Sequence, residues 1–122
     1  MDERAFKDRT KRFALAIIRL VQQLPGGASS EVIGRQILRS ATSVGANYRA
    51  ACRAKSVADM INKLKIVEEE ANETLYWLEL LGESDIIPSD RLSALWKECD
   101  ELVAMTVASL KTLRARQSNR QP

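Results

Sequence analysis

The sequence predicts an all-α protein, an antiparallel up-down-up-down four-helix bundle. Three observations carry that expectation. Apolar residues recur at helical spacing in four successive segments, alternating apolar and polar runs are absent, and three short breaker-rich connections separate the segments. The chain of 122 residues has room for one domain, expected over residues 1–116 with a frayed tail at 117–122. With 45% hydrophobic and 29% charged residues it is too apolar for a disordered chain, and its length allows a core without disulfides or metal.

The first helix is expected over about residues 3–24, with Phe6, Phe13, Ile17, Leu20, Val21 and Leu24 on one stripe. A loop then runs from Leu24 through Pro25, Gly26 and Gly27 to the cap-type residues Ser29 and Ser30. The second helix, about 31–54, carries Ile33, Ile37, Ala41, Val44, Tyr48 and Ala51. Lys55-Ser56 breaks it, and Ser56 with Asp59 forms a cap-like pair for the third helix. That helix, about 57–81, offers Val57, Met60, Leu64, Val67, Ala71, Leu75, Leu78 and Leu81. Gly82 as a C-cap and Pro88 close it off. The fourth, about 90–114, carries Leu92, Leu95, Trp96, Cys99, Val103, Leu110 and Leu113. Cys52 and Cys99 fall on or beside these stripes and read as reduced core thiols.

Composition excludes several chemistries. The chain has no histidine, which removes Ser-His-Asp and Cys-His nucleophilic catalysis and most zinc sites. Glu68, Glu69, Glu70 and Glu73 could hold a metal in a bundle only with the Glu-x-x-His motifs that are missing. Ser40 and Ser43 have no base partner, and Pro25-Gly26-Gly27 lacks the lysine of a phosphate loop. The expectation is a protein that is not an enzyme and takes no cofactor or metal. A nuclease would need clustered carboxylates around Mg²⁺, and the glutamates of the third helix do not share one direction. The apolar stretch from Phe13 to Val21 is broken by Arg19 and no run nears the roughly 20 residues of a membrane span, so the expected location is cytoplasmic and off the membrane.

Charge is distributed unevenly although the net is only +3. Residues 1–55 carry eleven basic and four acidic side chains, residues 56–110 four and twelve, and residues 111–122 four basic ones alone. On the second helix Arg35, Arg39, Arg49 and Arg53 lie within about 80° of one another, opposite the core stripe. Arginine suits bidentate contact with phosphate or carboxylate, and Arg4, Lys7, Lys11 and Arg19 add a basic face on the first helix. Two readings stand open: a surface for RNA or DNA, or a solvated face whose arginines pair with carboxylates. On the third helix Ile66, Tyr76, Trp77 and Leu80, mixed with Glu69, Glu70 and Glu73, form a second apolar face expected to be an oligomer interface. Unlike faces that attract one another make a heterologous contact, which, if it closes, makes a ring instead of a two-fold dimer.

The run from Gln36 to Ala51 (QILRSATSVGANYRAA), with Arg53-Ala54-Lys55-Ser56 and then Lys65 to Leu81 (KIVEEEANETLYWLELL), resembles the bacterial 23S rRNA intervening-sequence proteins. Arg39, Ser43, Asn47, Arg49, Arg53, Glu69, Glu70 and Glu79 match the pattern of that family. The resemblance implies a four-helix bundle assembled into a homo-oligomeric ring, a pentamer. Related accessory proteins of diversity-generating retroelements are basic pentameric barrels that bind nucleic acid and a reverse transcriptase, which makes those partners expectations here. The leading reading is a nucleic-acid binder, and the alternative is a protein scaffold whose arginines bridge subunits. Asn47 is expected to make a structural hydrogen bond, and Gly45 to allow a close helix approach or a local bend.

Overall fold

The computed structural model describes residues 2–120, which form α1 (Glu3–Gln22), α2 (Ala28–Cys52), α3 (Val57–Glu83) and α4 (Ser89–Arg120). Successive helices pack as neighbours, and a smaller contact between α1 and α4 closes the bundle. Among the described residues there is no strand. The up-down-up-down path brings the start of α1, the end of α2, the start of α3 and the end of α4 to one end of the molecule.

The core is the one the periodicity predicts, with additions. Phe6, Ile17, Ile37, Val44, Leu64, Val67, Leu78 and Leu110 are fully buried, and Phe6 meets Tyr48 edge to face at 4.6 Å. Ile61, Ile87 and Leu102 join it. Trp96, placed on the core stripe by its spacing, stays 37% exposed because it turns toward α3 and donates to Glu79 Oε2 at 3.1 Å. Two hydroxyls share the interior, Ser40 and Thr74, 2.8 Å apart, and each also reaches a carbonyl of its own helix. No buried side-chain polar atom among the described residues lacks a partner.

Helix ends differ from expectation where backbone geometry outweighs residue type. α2 begins three residues early, because Gly27 takes φ 125° as its N-cap and lets Ala28 to Ser30 wind as the first turn. Gly82 does not cap α3. It is buried inside the helix, where a Cβ would stand 3.0 Å from Ser89 Oγ, and the left-handed residue is Asp85 at φ 61°. Ser56 and Asp59 do form a reciprocal cap: Ser56 Oγ accepts from the Asp59 amide at 3.0 Å and Asp59 Oδ2 from the Lys55 amide at 3.1 Å. α4 runs to Arg120, beyond the expected end near 114, since the residues past Leu113 include no breaker. Of the tail expected at 117–122, residues 121 and 122 lie outside the described residues.

α1 approaches α2 over glycine. A Cβ on Gly45 would sit 3.1 Å from Thr10 Oγ1 and 3.4 Å from Thr10 Cβ, and Thr10 is buried with its hydroxyl on the Lys7 carbonyl. Replacing Gly45 with valine therefore lowers stability by about 2 kcal/mol through overpacking, read as a reduced urea midpoint with unchanged slope. Cys99 lies between α4 and α3 with its Sγ 3.2 Å from the Ala71 carbonyl, and burial pushes its thiol up to about 12. Ellman's reagent at pH 8 is expected to titrate only the half-buried Cys52 in the native protein and a second thiol on unfolding.

Candidate nucleic-acid interface

The end of the bundle where α1 and α3 begin and α2 stops gathers positive charge. Lys7 on α1, Arg49 on the last turn of α2, Arg53 at its C-cap, Lys55 in the connection and Lys63 on α3 border one open cleft of about 1080 Å³. The acidic member of the border, Asp59, accepts a hydrogen bond from the Lys55 amide through Oδ2. The N-terminus of α3 also opens here, and its first amides and dipole add partial positive charge. Arg4 and Lys11 flank Lys7 on the same face of α1, both exposed, while Lys7 Nζ stands 3.8 Å from Glu3 Oε2. Lys111, Arg114 and Arg116 on α4 run toward the same end.

Arg35, Arg39 and Arg49 of α2 and Arg53 at its C-cap are all exposed, as their position opposite the core requires, but they do not meet at one place. Arg49 and Arg53 border the cleft. Arg35 lies toward the far end, against the connection formed by Pro25, Gly26 and Gly27. Arg39 is engaged inside the chain, reaching Glu70 at 3.3 Å and Glu73 at 2.5 Å on α3. The Arg39 hydrogen bond holds the Glu73 carboxyl below its usual range, with a smaller contribution from Trp77 Nε1 at 3.2 Å. Among the described residues, Arg35, Arg49 and Arg53 have no carboxylate within ion-pair distance. Asn47 Nδ2 donates to the Ser43 carbonyl at 2.9 Å, a bond within α2.

The face expected as an oligomer interface is also divided. Glu70 and Glu73 hold Arg39 of the same chain, and Trp77 is half-buried, packed against the core and edge-on to Tyr76 at 5.1 Å. Ile66 and Leu80 are half-buried, whereas Glu69 and Tyr76 are exposed, Tyr76 by 54%. Residue spacing missed three participants. Lys55 and Lys63 enter the cleft only through the α2–α3 turn, which a helical wheel does not show. Arg9 sits at the edge of the α1 stripe and forks onto Glu98 at 2.7 and 2.8 Å, with Glu101 at 3.2 Å, clasping α1 to α4. Its visible signal was the pair Glu98 and Glu101, three residues apart and thus on one side of α4.

Among the described residues no group of three or more potential ligands could hold a metal ion, and no helix is long and apolar enough to cross a membrane. Fold and site together define a small four-helix-bundle protein with one cation-rich end. The chain belongs to the 23S rRNA-intervening sequence protein family, whose model matches residues 4–108. It is similar to a crystal structure of a protein of unknown function from the S23 ribosomal protein family of Bacteroides thetaiotaomicron VPI-5482. That likeness has 40% identity and a TM-score of 0.84 and covers 91% of this chain and 99% of that one. No curated protein matches the chain.

The Arg39 and Glu73 pair makes stability pH-dependent. The folded Glu73 carboxyl ionises below its ordinary value of 4.5, so its contribution is present above that value and is lost as pH falls through the folded one. Glu73→Gln is expected to lose less stability than the parent between pH 6 and pH 3, measured by urea unfolding at each pH.

Proposed function

We propose that the protein is a non-enzymatic, cytoplasmic, ring-forming homo-oligomer that binds RNA or DNA through phosphate contacts at the basic end of the bundle. The observation that carries this reading is the cleft itself: five cationic side chains from two helices' ends, a third helix and a turn converge there, against one carboxylate, that of Asp59. Arg49 and Arg53 keep their guanidinium donors available to an anion. The ring, proposed as a pentamer on family likeness, is supported by charge. α1 and α2 make a basic layer, and α3 with the first turns of α4 an acidic one, so unlike faces of adjacent copies attract. Against the scaffold reading stands Arg39, whose glutamate partners belong to its own chain.

Fluorescence anisotropy of a labelled RNA hairpin and a DNA duplex across a salt series tests this, after light scattering has fixed the oligomeric mass. Affinity is expected to fall linearly with log salt, and R49E combined with R53E to reduce the slope by about 2. R35Q, remote from the cleft, leaves it unchanged. Absence of binding at low salt would overturn the reading.

A further inference from the structure

Behind the basic cleft, across the last turn of α2, the same end of the bundle holds a second concavity of about 460 Å³. It exists because α1 and α4 differ in length. Arg9 clasps Glu98 and Glu101, and from there α1 has fewer than two turns left before its start at Glu3, whereas α4 continues for more than four turns to Arg120. The side of α4 that faced α1 thus loses its partner, and a groove opens.

The floor of the groove is apolar, made by Met60, Leu64, Met105 and Leu113 with Tyr48 behind them. Its rim is polar, with the Glu3 carboxylate on one side and Ser109 and Arg116 on the other. Methionine thioethers are polarizable and adapt to a flat ring, while a carboxylate, a hydroxyl and a guanidinium match the acceptors and donors along the edge of a heteroaromatic base. Groove and cleft are joined through shared turns. Tyr48 and Cys52 face the groove where their neighbours Arg49 and Arg53 face the cleft, and Glu3 and Lys7 divide in the same way one turn apart on α1.

We propose that an unpaired nucleobase occupies this groove while the phosphates beside it are held by Lys7, Arg49 and Arg53, so that the ligand is single-stranded or bulged nucleic acid and not a regular duplex. The proposal rests on the nucleic-acid reading above. A paired base is stacked on both faces and has no apolar surface to offer, so a duplex gains only the phosphate contacts. An extruded base adds burial of its ring against the methionines and hydrogen bonds at its edge.

The test uses two RNA hairpins whose strands are joined by a non-nucleotide ethylene-glycol linker in place of a loop, one fully paired and one identical except for a single bulged 2-aminopurine. The full-length protein is expected to bind the bulged hairpin about tenfold more tightly, with a change in 2-aminopurine emission. Ala108 and Thr112 are exposed residues at the groove mouth. Ala108→Trp and, separately, Thr112→Trp fill the groove and are expected to cut the preference to below about twofold. Affinity for the paired hairpin, its salt slope and the helical circular dichroism stay unchanged. Equal affinity for the two hairpins, or a preference that survives both tryptophans, overturns the base site and leaves the phosphate reading intact. Failure of both hairpins to bind at low salt overturns both.

Discussion

The turn between α2 and α3 governs the arrangement of everything around it. Only Arg53 to Ser56 separate the two helices, and the reciprocal hydrogen bonds of Ser56 and Asp59 fix where α3 begins. A connection that short forces the helices to be antiparallel neighbours. Their most intimate contact follows: Ala41 and Ala71 are both fully buried, and the Ser40 and Thr74 hydroxyls meet between the backbones. The same turn carries Arg53 and Lys55 and brings them beside Lys63 of α3 at the border of one cleft. Packing and charge at this end therefore have a common origin.

Two kinds of arginine serve two purposes. Arg9 and Arg39 are clasps between helices, each forked over two carboxylates of a facing helix. Both pairs are partly solvated, so their value lies more in fixing helix register than in raw stability. Arg49 and Arg53 face solvent beside other cations, an arrangement that costs repulsion and is offset by no ion pair of theirs among the described residues. The proposed phosphate surface would account for that cost.

Much of the fold was legible in the sequence because burial imposes a period. Phe6, Ile17, Val44, Leu64 and Leu110 stand where the spacing puts them, and the Ser56 cap has a local signature that requires no tertiary information. What periodicity lacks is height along the helix. Arg35 and Arg53 share a helical face yet are 18 residues, or about 27 Å, apart, so one belongs to each end of the bundle. Partner choice is equally invisible. Glu70 and Glu73 read as an outward face until α2 is placed beside α3 and Arg39 falls within reach. Gly82 shows a third limit, for a glycine near a helix end serves either as a cap or as a place where another segment comes close, and only the position of Ser89 decides.

The length of α4 has a kinetic meaning. Its last buried apolar side chain is Leu113, and the helix carries on to Arg120, about 10 Å further, with Arg114 and Arg116 exposed along the way. That distance is comparable to the roughly 8 Å over which physiological salt screens a charge. On the proposed nucleic-acid reading, the exposed guanidiniums of Arg114 and Arg116 along this extension would meet an approaching polyanion before the body of the bundle does. On that reading they would enlarge the target for productive collision and bias the orientation of the encounter, acting on the rate of association more than on the strength of the complex that follows.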